Sequence, residues 1–221
     1  LINWSAGMQV EMVVPPTTNF LRVKLYIDII DYLWKIIEIG EHDKIDHKEK
    51  LIGNISQSIL LKDIDSYFYK SVCVPLVKYF REKNSIGKDP CDNTTILKPN
   101  SQLILKDMWV NYQYKTEFNP YHDHDGVYSF AIWLKIPYDW KEQNKLPQFD
   151  GMKEQDKKAG SFEFECIDTF GGIRNLAVKS CKEMEGNMFF FPAKPIHCVY
   201  PFCKTDGPRI SIAGNLMFQL V

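Results

Sequence analysis

The sequence predicts a mainly β protein, with a jelly-roll or barrel-like core flanked by helices on its N-terminal side. The second half of the chain contains at least seven short runs rich in β-branched and aromatic residues, with turn signals between them. The first half contains stretches whose apolar residues recur every three or four positions, as in amphipathic helices. Consecutive short strands without intervening helices are typical of sandwiches and barrels.

The first helix is predicted to begin at Thr17 or Thr18, to follow the apolar positions of residues 20–37 and to end at Gly40. A second helix is predicted to begin near Asp63 or Asp65. Its apolar face carries Phe68, Val72, Leu76 and Phe80, with Pro75 as a kink or break.

The strand-rich half begins at about residue 102. The predicted strands are 102–112, 128–136, 161–167, 173–180, 187–192, 197–202 and 208–219. The turn signals between them are Asp125-Gly126, Gly171-Gly172, Glu185-Gly186 and Asp206-Gly207-Pro208. Residues 137–160 are polar and lack periodicity, so we expect a long loop that acts as a mobile cover over a site.

Length and composition indicate an ordinary globular protein of 221 residues, with 45% hydrophobic and 25% charged residues. We expect residues 1–221 to form a single domain, with a mostly helical support region over 1–100 and a β-stranded core over 101–221. The formal charge of −1 makes nucleic acid an unlikely partner, and no apolar run is long enough for a membrane span. Six scattered cysteines favour free thiols in a reducing, cytoplasmic location.

Three of the five histidines lie in the strand-rich half. His122 and His124 are two residues apart, and on extended backbone such side chains share a face, so both imidazoles can point at one ion. His197 follows 75 residues after His122, just beyond a predicted strand. A close pair of ligands and a distant histidine form the arrangement of non-haem Fe(II) oxygenases.

Arg209 and Ser211 belong to the last predicted strand, where alternation places them on the same face. A guanidinium can hold a carboxylate through two parallel hydrogen bonds, and a hydroxyl beside it can donate a third. An arginine among apolar strand residues is costly to bury unless it has such a partner. The alternative is an Arg209 that pairs with a structural carboxylate or is exposed to solvent.

These motifs together resemble the 2-oxoglutarate/Fe(II)-dependent dioxygenases, and more narrowly the 2OG-Fe(II) oxygenases of marine phages and bacteria. The resemblance covers roughly residues 50–221 and is most specific over 109–137 and 187–216. It is carried by Trp109-Val110-Asn111, Asn119-Pro120-Tyr121-His122-Asp123-His124, Ser129 through Pro137, and Phe190-Phe191-Pro192 through His197 to Arg209-Ile210-Ser211.

The resemblance implies a double-stranded β-helix that binds Fe(II) and uses 2-oxoglutarate and O₂ as co-substrates. It implies a hydroxylase that acts on a C–H bond of a peptidyl side chain, such as proline, or of a small metabolite. The implied catalytic metal ligands are His122, His124 and His197, and the implied 2-oxoglutarate contacts are Arg209, Ser211 and, less specifically, Asn111. The cytoplasm of a microbe or of an infected host cell is the expected location.

The motif departs from the usual His-x-Asp, because His124 stands where the carboxylate is expected. The third ligand is therefore His124 itself, Asp123 or Asp125 from the loop, or water. Two other functions also remain open. One is a three-histidine cupin-type metalloenzyme that does not use 2-oxoglutarate, and the other is a non-catalytic jelly-roll module.

Overall fold

A computed structural model describes residues 2–4, 8–10, 19–83, 102–168 and 170–219. The helices are α1 (Ile27–Asp43), α2 (Val74–Lys83) and α3 (Trp140–Asn144). The strands are β1 (Ile2–Trp4), β2 (Met8–Val10), β3 (Leu21–Lys24), β4 (Gln57–Leu60), β5 (Leu103–Gln113), β6 (Asn119–His122), β7 (Tyr128–Lys135), β8 (Phe162–Ile167), β9 (Ile173–Val178), β10 (Asn187–Pro192), β11 (His197–Val199) and β12 (Arg209–Phe218).

Two antiparallel sheets form the core of the molecule. The larger has the strand order β3-β10-β7-β12-β5-β4, and the smaller has the order β6-β11-β8-β9. Aromatic side chains between the sheets pack together, for example Phe162 of β8 against Trp133 of β7 at 5.5 Å between ring centroids. These facing sheets form the double-stranded β-helix that the resemblance implies. A separate two-stranded sheet is formed by β1 and β2.

The larger sheet is buried on both faces, and the alternation along its strands separates two cores. On β10, Phe189 and Phe191 point toward the smaller sheet. Met188 and Phe190 point the other way, into a core shared with α1 and α2. A strand buried on both faces needs apolar residues at consecutive positions, which explains the run Met188–Phe191.

The first helix begins later and ends later than the sequence predicts. Residues 21–24 are not helical but form β3, which pairs with β10. α1 then runs from Ile27 to Asp43, and the chain leaves it through Lys44 in a left-handed conformation. Gly40 lies within this helix, where a Cβ would approach Leu61 to 2.9 Å. The glycine therefore serves close packing rather than helix termination. The predicted start at Thr17 or Thr18 lies outside the described residues.

The second helical region begins where it is predicted and changes from π-helical to α-helical just before Pro75, without a break. The Asp63 carboxylate accepts hydrogen bonds from the backbone N–H groups of Phe68 and Tyr69, both at 2.9 Å, and so caps the first turn. A π-helical turn, Tyr69–Cys73, precedes α2. Because Pro75 has no N–H, it cannot continue the regular hydrogen bonding of the helix.

Each of the seven predicted strands of the second half matches an observed strand, although the strand predicted at 197–202 ends at Val199. The short strands β3, β4 and β6 were not predicted. β3 and β4 lie before residue 101, so the first hundred residues supply strands to the core sheet as well as helices. The organisation of the whole chain as one domain stays a prediction.

No helix among the described residues is long and apolar enough to cross a membrane. Five of the six cysteines lie in the described ranges, and all five are free thiols: Cys73, Cys166, Cys181, Cys198 and Cys203. Free thiols agree with the prediction made from their spacing.

Candidate active site

The three predicted histidines converge between the two sheets. His122 ends β6 and His197 begins β11, and the two residues are direct partners across that strand pair. His124 follows in the loop, where its backbone N–H donates to the carbonyl of Ala193 at 2.9 Å. The ring centroid of His197 lies 4.3 Å from that of His122 and 4.9 Å from that of His124. One ligand atom from each residue lies within 4.8 Å of the others, so a single ion can sit among them.

The hydrogen bonds of two rings determine which nitrogen faces the cavity. Nδ1 of His122 lies 2.7 Å from the carbonyl oxygen of Pro120, and Nδ1 of His197 lies 3.0 Å from that of Pro195. A carbonyl oxygen only accepts hydrogen bonds, so Nδ1 carries the proton in both rings. The lone pair is then on Nε2, as in histidines that bind metals through this atom.

His124 has a side-chain partner instead of a carbonyl. Its Nδ1 lies 2.8 Å from Oδ1 of Asn215, which also accepts from the Ser129 hydroxyl at 2.8 Å. The Asn215 amide nitrogen donates to the Asp107 carboxylate at 2.9 Å. This chain again leaves Nε2 of His124 as the atom with a free lone pair.

Burial keeps all three rings neutral near pH 7. It lowers the pKa of His122, and it lowers the pKa of His124 to about 4. Burial, followed by the neighbouring imidazoles, lowers the pKa of His197 to about 3. Neutral imidazole is the form that binds a metal ion.

The acidic residues beside the histidines line the cavity but are not part of this cluster. The Asp123 carboxylate forms an exposed ion pair with Lys194 at 3.1 Å. Asp125 is also exposed and is not among the grouped ligand atoms of the described residues. Of the open alternatives for the third ligand, the geometry favours His124.

The histidines lie in a cavity of about 660 Å³ that has two distinct ends. We call His122, His124 and His197 the histidine end, and Arg209, Gln113 and Ser211 the arginine end. Arg209 and Asn215, the partner of His124, are six residues apart on β12. This spacing corresponds to about 20 Å between the Cα atoms of Arg209 and Asn215. A third wall is contributed by the segment before β4: His47, Lys50, Leu51, Ile52 and Ile55.

Arg209 is 2% exposed and lines the cavity, as predicted for an inward-pointing side chain. Its Nη1 donates to the Tyr138 hydroxyl at 2.8 Å and to the Gly160 carbonyl at 2.9 Å, and its Nη2 donates to Gln113. All three partners are uncharged. Nε is buried and has no partner among the described residues. Of five N–H donors, Nε–H and one on Nη2 are left for a ligand.

Ser211 and Asn111 lie beside this guanidinium. They are direct partners across β12 and β5, so both side chains project from the same face of the sheet into the cavity. Oδ1 of Asn111 is buried without a partner among the described residues. Arg209, Ser211 and Asn111 therefore surround one volume, as the sequence predicts.

The expectation that residues 137–160 form a mobile cover over the site is wrong. Residues 137–160, all of which the structure describes, do not line the cavity and instead pack through the buried side chains of Tyr138, Gln143 and Ala159. The segment supports Arg209 from behind rather than covering the site. Of the aromatic residues Phe130, Trp133, Phe189 and Phe191, only Trp133 and Phe191 line the cavity. Phe130 belongs to the core on the helix side, because its neighbours in the strand face the other way.

The sequence analysis did not predict several residues of the site. Asn215 and Gln113 could have been found by extending the alternation that linked Arg209 to Ser211 along β12 and its partner strand β5. Tyr138 and Gly160 carry no such local signal. They meet Arg209 only because the segment that contains them folds behind β12.

Two solved structures illustrate which proteins have a similar fold. The α-ketoglutarate-dependent non-haem carbocyclase SnoK from nogalamycin biosynthesis is 8% identical, with a TM-score of 0.56 and coverage of 90% of this chain and 79% of SnoK. A prolyl hydroxylase from Trichoplax adhaerens, solved with a hypoxia inducible factor peptide, is 8% identical, with a TM-score of 0.51 and coverage of 90% and 82%. At this identity the similarity shows the fold. A comparison with curated protein sequences gave no match.

The family comparison is more specific, because it rests on sequence. Residues 107–215 match the family described as "Putative 2OG-Fe(II) oxygenase". This range contains the three histidines as well as Asn111, Arg209 and Ser211. The match supports the 2OG-Fe(II) oxygenase superfamily for this part of the chain, and the cofactors that this family implies are Fe(II) and 2-oxoglutarate.

Proposed function

We propose that this protein hydroxylates a C–H bond of its substrate, with Fe(II) held by His122, His124 and His197. In the same proposal, Arg209 and Ser211 hold the distal carboxylate of 2-oxoglutarate, and Asn111 contacts the same co-substrate. The substrate is a peptidyl side chain, such as proline, or a small metabolite. The observation that carries this proposal is the buried Arg209 guanidinium in the same cavity as three neutral imidazoles.

The histidine end fits iron because each ring is oriented by an oxygen partner outside the cluster. Such partners fix the tautomer and raise the basicity of the ligand nitrogen. Three protein ligands on one side of an ion leave positions for a chelating co-substrate and O₂. These three rings lie on one side of the cavity, and the arginine end lies on the other.

The arginine end fits a carboxylate because its charge has no counter-charge among the residues that the structure describes. A buried cation without an anion is strongly unfavourable, whereas a charge-assisted pair with a carboxylate compensates that cost. The two N–H donors left on Arg209 are on neighbouring atoms, Nε and Nη2, which suits two parallel hydrogen bonds to one carboxylate. The hydroxyl of Ser211 adds a further donor beside them.

When bound, the iron supplies O₂ activation, and the balanced reaction converts substrate R–H, 2-oxoglutarate and O₂ into R–OH, succinate and CO₂. The protein's own residues position the reactants. Arg209 and Ser211 orient the co-substrate by its far end, and the histidines present lone pairs at its near end. Trp133 and Phe191 line the cavity between the sheets and exclude water from it.

Calorimetric titration of the Fe(II)-loaded protein, kept free of oxygen, tests the arginine end. The two ligands are 2-oxoglutarate and 2-oxobutyrate, which has the same chelating group but no distal carboxylate. We expect 2-oxoglutarate to bind more tightly by about 2–5 kcal/mol, the range for a buried charged pair. Equal affinities would favour the cupin-type alternative, in which 2-oxoglutarate is not a co-substrate.

Formation of succinate tests the chemistry itself. With Fe(II), 2-oxoglutarate and air, we expect the protein to release succinate, and to release it faster when a peptide or metabolite fraction contains the substrate. The hydroxylated product would then be identified by a mass increase of one oxygen atom. Tight binding of metal and 2-oxoglutarate without any succinate would instead indicate a non-catalytic module.

A further inference from the structure

We infer that Asp107, a carboxylate outside the metal cluster, acts through Asn215 to make His124 a metal ligand. His124 thereby takes the place of the carboxylate ligand that completes the common two-histidine, one-carboxylate site. The inference rests on the proposed role of the three histidines in holding iron. It assigns Asp107 and Asn215 as positioning residues.

The larger sheet places the members of this chain in one row. Asp107 on β5, Asn215 on β12 and Ser129 on β7 are direct partners across three neighbouring strands. Direct partners have their side chains on the same face of a sheet, so the amide of Asn215 lies between a carboxylate and a hydroxyl. His124 reaches the same amide from the loop after β6.

The chemistry of these partners allows only one arrangement of protons. An ionised carboxylate only accepts, so Asp107 must face the NH₂ group of Asn215, which lies 2.9 Å away. Oδ1 of Asn215 is then turned toward His124 and accepts from its Nδ1. A proton on Nδ1 leaves the lone pair of the neutral ring on Nε2. Asp107 therefore selects the tautomer of a ring that it does not touch.

This relay also explains why an asparagine occupies position 215. Asn215 is 8% exposed, and both ends of its amide have partners, so its orientation is held in a largely dry environment. Without the carboxylate at position 107, the amide could turn over and present its NH₂ group to Nδ1. Nδ1 would then have to accept, the proton would move to Nε2, and His124 could no longer bind a metal through that atom.

Metal affinity of purified variants tests the relay without any turnover. We would titrate metal-free protein with Co(II), a spectroscopic substitute for Fe(II), and follow its visible absorption bands. Asn215→Leu removes the partner of His124, and we expect Co(II) to bind about 10–100-fold more weakly, as for other residues that orient ligands. Asp107→Asn keeps the size of the side chain and should weaken binding in the same direction, by less.

Asp123→Asn is the matched control. Asp123 is adjacent to both His122 and His124 in the chain, but its carboxylate is exposed and paired with Lys194. Removing this charge should leave the affinity for Co(II) unchanged. If Asp107→Asn and Asp123→Asn have the same effect, the relay is wrong.

The exchanged variant, Asp107→Asn with Asn215→Asp, separates positioning from a general loss of structure. It puts an acceptor-only carboxylate directly against Nδ1 of His124 and a donor amide behind it. We expect it to restore at least wild-type affinity, with thermal unfolding of the metal-free variants as a check on folding. Affinity as weak as that of Asn215→Leu would overturn the inference. Wild-type protein that binds no Co(II) would instead contradict the proposed iron site itself.

Discussion

The two ends of the cavity solve the problem of burying polar groups in opposite ways. At the histidine end, three uncharged rings each have an oxygen partner behind them, and their free lone pairs face the cavity. At the arginine end, the partners of the charged guanidinium within the described part of the chain are all uncharged, and two of its N–H donors have no partner there. One end can accept a cation and the other an anion.

The difference indicates that the cavity is built for two ligands of opposite charge. A buried charge with no counter-charge is costly, and so is a cluster of unpaired lone pairs in a dry site. Among the described residues no anion compensates Arg209, and the Nε2 lone pairs of the three histidines face the cavity. A divalent metal ion at one end and a dicarboxylate that reaches the other would satisfy both.

Loss of a histidine should have the largest effect. His197→Ala removes a buried residue that we propose as a metal ligand, so we expect the affinity for Fe(II) or Co(II) to fall by more than the roughly hundredfold limit for residues that only orient ligands. His42→Ala, at an exposed position in the last turn of α1, is the control and should bind metal like wild type. If the two variants bound metal with comparable affinity, the histidine end would not be a metal site.

Loss of the guanidinium should affect the other end alone. Arg209→Ala should weaken 2-oxoglutarate binding to the metal-loaded protein by about 2–5 kcal/mol and leave metal affinity unchanged. Arg209→Lys should recover part of the loss, because an ammonium group cannot make two parallel hydrogen bonds. Calorimetry measures both quantities.

Arg174→Ala is the matched control for this experiment, since Arg174 forms an exposed ion pair with Asp168 on the β8–β9 hairpin. It should bind 2-oxoglutarate like wild type. An Arg209→Ala variant that loses metal and co-substrate affinity together would show that the two ends are not independent.

Tyr138→Phe should have a smaller effect on 2-oxoglutarate binding, and it tests whether the segment 137–160 supports Arg209. The hydroxyl of Tyr138 accepts from Arg209 and donates to the carbonyl of Gly160, both at 2.8 Å. Its loss should lower the free energy of unfolding by about 1–3 kcal/mol, the cost of unsatisfied buried partners, and should weaken 2-oxoglutarate binding less than Arg209→Ala does. Urea unfolding and calorimetry provide the two values. Unchanged unfolding would argue against this segment as the support of Arg209.

Lys194→Ala should have the smallest effect. Its ion pair with Asp123 is exposed, with 67% and 50% of the two side chains accessible, so its contribution to unfolding should be at most about 1 kcal/mol. Metal affinity should not change. Lys194 also donates to the backbone carbonyl of His124 at 3.1 Å, so a marked loss of metal binding would mean that this contact positions His124.

Much of this site could be predicted from the sequence because the rules involved are local. Alternation along a strand places Arg209 and Ser211 on one face, and the spacing of His122 and His124 lets them point at one ion. The strand-rich half was predicted for the same reason. Strand β3 was not, because its residues continue the helical spacing of α1, and only pairing with β10 makes them a strand.

The sequence by itself determined the fold class, the strands of the second half and the residue types that can hold a metal and a carboxylate. Only the tertiary structure decided that His124, and not a neighbouring aspartate, joins the cluster, and that Asn215, 91 residues away, orients its ring. It also decided that Tyr138 and Gly160 support Arg209 across 71 and 49 residues. The physical reason is range. Periodicity and turn preferences act over a few residues, whereas hydrogen bonds to buried side chains depend on sheet register and loop placement, which the whole fold sets.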